Sequence, residues 1–209
     1  MQGNSKFSSS ITLLVVLVFI TSVCRGQSTY KSIPLPVLLQ GVDQEFSGMA
    51  QFGNRIYLLP QYGNCKETGL DGGDFNLYSL LADSVKRVIE GKDTSLNYFN
   101  ITKIHGLEKL PAFIKRTYQG FETLTFVGNS VYMAIETVDT AANCYLLKGI
   151  FDSKKNEINI DYKNYLALKR PFYIDNAGFE SITWLPRKNK LIAFYEFNAS
   201  PGGNTAYLI

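Results

Sequence analysis

The chain has 209 residues, a formal net charge of +3, 45% hydrophobic residues and only 19% charged ones, which excludes both a disordered polymer and a multi-span membrane protein. A single histidine, His105, excludes any multi-histidine metal site and leaves a Ser-His-Asp triad one imidazole to use. The 13 Tyr, 14 Phe and 17 Gly favour strands joined by tight turns.

The first 26 residues read as a secretory signal peptide. Lys6 precedes an apolar run from Ile11 to Ile20, and Thr21 and Ser22 follow it. The run is short for a membrane span, which needs about 20 apolar residues. Cleavage after Gly26 places Cys24 and Gly26 at the −3 and −1 positions. A lipoprotein cut before Cys24 is the alternative, and a retained anchor is the third. The expected division is therefore a signal peptide, 1–26, and a β domain, 27–209. Removing the leader takes away Lys6 and Arg25 and no acid, so +3 becomes +1 over the remaining 183 residues. The mature chain is expected to be secreted, periplasmic or on the cell surface, with no membrane span and no electrostatic footprint for nucleic acid.

Three segments then share one pattern: Phe46 to Pro60, Phe121 to Glu136 and Phe179 to Glu196. Each has an apolar strand, a turn and a second apolar strand. Gly53-Asn54 and Gly128-Asn129 supply the first two turns, because Gly and Asn tolerate the positive φ of tight hairpins. Pro186 to Asn189 supplies a longer third turn, which explains the basic cluster Arg187, Lys188 and Lys190 as a solvated hairpin tip. Asn76 to Leu81 and Cys144 to Phe151 read as third strands, and Tyr165 to Leu168 as an outer strand. Ser84 to Glu90 fits either strand or helix. Four antiparallel strands per unit, repeated about an axis, is the β-propeller plan. The expectation is an all-β fold with four-stranded blades, about three of them, in an incomplete ring truncated at the C-terminus.

The run Gly178-Phe179-Glu180-Ser181-Ile182-Thr183-Trp184, followed by Lys190 to Glu196, resembles the secreted phytase-like propellers, the family named for an esterase-like activity of phytase. Gly120-Phe121-Glu122-Thr123-Leu124 through Glu136 is the second match. Residues 41–61 match weakly, with Ser47 in place of Glu and Pro60-Gln61 at the strand end. The resemblance implies an extracytoplasmic location, a closed propeller and calcium-assisted hydrolysis of a small-molecule phosphoester. A non-catalytic propeller that binds a surface ligand or partner stands as the alternative.

On a propeller, Glu122, Glu180, Glu136 and Glu196 all fall near one rim, and a ring of carboxylates suits calcium, which takes several oxygen ligands in flexible geometry. Strand parity qualifies this. Centring the hairpin on Gly128-Asn129 pairs Glu122 with Ile135, so Glu136 would point to the opposite face unless a bulge intervened. Glu122 and Glu180 are thus the stronger metal candidates, and a structural role accepting backbone N–H groups competes with ligation. Cys65 and Cys144 suggest a disulfide in an exported chain, with two free thiols as the alternative. Asp71 to Asp74 reads as a solvated turn. Asn100-Ile101-Thr102 and Asn198-Ala199-Ser200 match the glycosylation sequon, which matters only in a eukaryotic host.

Overall fold

The repeated segments fold into antiparallel hairpins. The structure is a computed structural model in which residues 32–41, 45–63, 69–72, 75–138, 141–170, 177–196 and 206–209 are described. The chain divides into two units, Met1–Ser32 and Ile33–Ile209. The expected signal peptide, Cys65 and Asn198 lie outside the described residues.

Its strands are β1 (Phe46–Phe52), β2 (Arg55–Pro60), β3 (Phe75–Leu81), β4 (Asn100–His105), β5 (Tyr118–Val127), β6 (Ser130–Thr137), β7 (Asn143–Asp152), β8 (Glu157–Lys169), β9 (Ser181–Leu185), β10 (Lys190–Phe194) and β11 (Ala206–Leu208). Two short helices interrupt them, α1 (Ala82–Ile89) and α2 (Ala112–Thr117). The all-β expectation stands. The three predicted hairpins are β1–β2, β5–β6 and β9–β10. Their tips use Gly53 at φ +58°, Gly128 at φ +56° and Asn189 at φ +53°, the left-handed region that a tight reversal demands. Ser84 to Glu90 resolves as helix. Asp83 lies in its first turn and Lys86 and Arg87 in its last, which suits the helix dipole.

β1 to β4 form an antiparallel meander, and β5 to β8 form a second. A parallel pairing of β4 with β8 joins them through only three residue pairs, Lys103 to His105 against Glu157 to Asn159. The hydrogen-bonded order is thus β1-β2-β3-β4-β8-β7-β6-β5, one eight-stranded sheet rather than separate four-stranded sheets. The sheet is nearly closed, because its end strands β1 and β5 lie side by side. β9, β10 and β11 make a second sheet, with β9 beside β5.

Both faces of the central strands are buried, so their sequences read as unbroken apolar runs. Tyr57, Leu59, Phe75, Phe121, Met133, Ile135 and Leu147 fill the interior between the meanders. Ala134, Cys144, Leu146 and Leu168 point the other way, onto Phe179, Ile182, Leu191 and Tyr195 of the third hairpin. Leu58, Tyr78 and Leu80 cover the opposite outer face together with Leu39 and with Val88 of α1. Among the described residues no helix is long and apolar enough to cross a membrane.

Candidate functional site

The three hairpins carry the same irregularity near the start of their first strands. In β1–β2, Phe46 pairs with Pro60 and Gly48 with Leu59, which leaves Ser47 as an extra residue. In β5–β6, Phe121 pairs with Ile135 and Thr123 with Ala134, which leaves Glu122 extra. In the third hairpin Ser181 pairs with Phe194 and Glu196 N–H donates to Gly178 O at 3.0 Å, so Phe179 and Glu180 together oppose Tyr195. Two residues opposite one is a β-bulge, which breaks the alternation of side chains. The parity argument is therefore corrected. Glu136 does not point away from Glu122; the bulge turns Glu122 onto the face that Glu136 occupies, close enough for the Glu136 carboxyl to raise that of Glu122.

Glu122 and Glu136 are 4% and 2% exposed. Gln61, just beyond β2, donates Nε2–H to Glu122 Oε1 at 3.1 Å. Gly178, on the approach to β9, closes the other side: a Cβ there would stand 3.1 Å from Glu122 Cγ and 3.3 Å from Glu136 Cβ. Glu180 and Glu196 are exposed at the mouth of the cluster. The structure thus brings all four predicted glutamates into one electrostatic group, two deep and two at the surface.

Their environment sets their protonation. The Glu122 carboxyl is pushed up to about 9, first by burial, then by the negative charge of Glu180 and Glu136, with the Gln61 amide acting in the opposite direction. Glu180 is pushed up to about 7 by shielding from solvent, Glu196 and Glu136. Its side chain reaches water while the surrounding protein still shields its carboxyl. Tyr62 borders the group, and its phenol is raised by burial and by Glu45, Glu122 and Glu136.

The oxygen donors are of the kind calcium takes, but among the described residues no three His, Cys, Asp or Glu side chains converge closely enough to hold a metal ion.

Behind Glu136, Arg170 is 6% exposed and donates to Thr137 Oγ1 at 2.8 Å and to Thr137 O. It stands beside Cys144, whose thiol burial pushes up and Arg170 pulls down. Cys144 is a free, fully buried cysteine. It lies inside β7, opposite Leu168. No disulfide is present among the described residues. Asp71 sits in a 3-10 turn, Gly69–Gly72, and accepts from Lys115 Nζ. His105 ends β4 with Nε2 3.6 Å from Glu157, well away from the glutamates in the register.

Sequence reasoning passed over Gln61, Tyr62 and Arg170. The signal for Gln61 was present: it occupies the repeat position of Glu136 and Glu196. Arg170 and Tyr62 fall outside the repeated hairpins and carried none. No protein-family model matches this chain, and comparison with curated proteins finds no relative.

Proposed function

We propose that this chain is an exported, phytase-like β-propeller protein that binds a surface ligand or partner through the glutamate cluster. Several features support the propeller reading. Two four-stranded antiparallel meanders follow one another, their first strands and that of the third hairpin are successive neighbours, and one bulge recurs in all three. The observation that carries the binding reading is the cluster itself. Carboxyls from two consecutive repeats come together, with Glu180 and Glu196 exposed in front of the buried Glu122 and Glu136. Such a cluster favours ligands that present ammonium or guanidinium groups. It is a poor receptor for phosphate. Arg170 is the only cation described behind it, and that side chain is buried and donates to Thr137.

One observation favours the second reading, hydrolysis of a phosphoester or ester with calcium. Glu180 is exposed and held at about 7, where a carboxylate can accept a proton as general base near neutral pH. A single set of assays separates the two. Melting temperature is followed with an oligolysine peptide and with calcium chloride, alongside turnover of p-nitrophenyl phosphate and p-nitrophenyl acetate, for the wild type and Glu180→Gln. Binding predicts a rise with oligolysine that shrinks in Glu180→Gln, and no turnover. Turnover that requires calcium and falls at least 100-fold in Glu180→Gln establishes the hydrolase instead. Neither a melting shift nor turnover rejects both.

A further inference from the structure

The first hairpin departs from the other two at both rim positions. Where the second and third repeats have Glu122 with Glu136 and Glu180 with Glu196, the first has Ser47 with Gln61. These substitutions are neutral, and both side chains donate. Ser47 Oγ–H donates across the strand gap to Phe121 O. Gln61 Nε2–H donates to Glu122 Oε1 at 3.1 Å.

Gln61 is held far more firmly than a surface amide. Its backbone N–H donates to Glu45 O at 2.6 Å, and its backbone carbonyl accepts from Phe121 N–H at 2.9 Å and from the Tyr118 hydroxyl at 2.8 Å. Its side chain runs through a space that exists because residue 120 is glycine: a Cβ on Gly120 would stand 2.5 Å from Gln61 Cγ and 3.0 Å from Nε2. A glutamate at this position, as in the other repeats, would bring a fifth acid to the group and no donor.

We propose that Gln61 is a positioning residue for Glu122, the donor that anchors its carboxyl beside Glu136 and lets three repeats of one sequence close an acidic rim without a repulsive neighbour on that side. Glu122 is faced by Glu136 from β6, by Glu180 and, beyond it, Glu196 from the third hairpin, and by Tyr62, with Glu45, from the first. All of the named carboxyls that face it repel its charge, so the Gln61 amide is the neutral donor that favours the ionised form. This inference rests on taking the glutamate cluster as the functional site, yet the two fail separately. Absence of ligand binding and of turnover by the wild type removes the functional reading and leaves the following test untouched.

The test compares urea unfolding of the wild type with Gln61→Leu, Gln61→Glu and Gly120→Ala at pH 5 and pH 10. A positioning role predicts that the variants' loss is pH-dependent. Relative to the wild type, the folded-to-unfolded ratio of Gln61→Leu falls about tenfold further at pH 10 than at pH 5, because the missing donor matters most when Glu122 is ionised. Gln61→Glu is close to wild type at pH 5, where the added carboxyl is protonated, and is the least stable of the set at pH 10. Gly120→Ala keeps the amide but displaces it and follows Gln61→Leu; it decides the matter if Gln61→Leu does not fold. Equal losses at both pH values for Gln61→Glu and Gly120→Ala overturn the proposal and leave Gln61 as packing only.

Discussion

Glu122 stores a proton where most glutamates have none, and this makes the stability of the protein depend on pH in a predictable direction. Its carboxyl is raised to about 9 in the folded state, so between its ordinary value and about 9 the folded chain binds more protons than the unfolded one. Stability is therefore greatest below the ordinary glutamate range and falls as pH rises toward 9. Glu180, raised to about 7, adds to the same slope over the lower part of that window. Glu122→Gln mimics the protonated side chain. Urea midpoints are expected to coincide with wild type near pH 4.5 and to exceed it increasingly at pH 7 and pH 9; a constant gap would mean that Glu122 is ionised in the native protein. Gly178→Ala places a methyl against both buried glutamates and should cost about 1–3 kcal/mol by overpacking, measured in the same titration. Cys144, fully buried, should resist a thiol-specific disulfide reagent in the native state and react at once in denaturant.

At the scale of the element, the hairpins were legible because two signals agreed: paired apolar runs and a Gly-Asn or Asn reversal at each tip. β4 stood outside the repeated hairpins and their expected third strands. Its sequence alternates, but Ile101 is half exposed and only Thr102 and Ile104 turn fully inward. α1 was left open between strand and helix; Val85, Val88 and Ile89 fall at helical spacing, and Val88 docks beside Tyr78 and Leu80. The glutamates were legible as a set, but their convergence was not. A bulge is an extra residue in a register, and no residue type announces it, so Glu122 against Glu136 came out on the wrong parity. Phe121 shows what the bulge is anchored on. It is fully buried, with its ring 4.7 Å from Phe75 and 5.6 Å from Tyr118. Phe121→Ala should cost about 3–5 kcal/mol, and calorimetry should show a lowered melting temperature.

Across the whole β unit, the two meanders are held less by their short parallel seam than by rings between them. Phe52 of β1 and Tyr57 of β2 meet Phe126 of β5 at 4.8 and 5.0 Å, and Phe151 of β7 closes the group against all three. Phe126→Ala should therefore loosen both meanders together. Hydrogen exchange is expected to quicken in β2 and β7 alike, with α1 unchanged, whereas a local effect would leave β2 protected. The recurring bulge has a consequence of its own for how such a molecule diversifies. The main chain decides where the side chain of that residue is delivered, while the amino acid installed there decides only its charge and its capacity to donate. Serine and glutamate already occupy this socket in successive copies without altering the hairpin around them, so the polarity of the mouth can be rewritten one codon at a time on an unchanged frame.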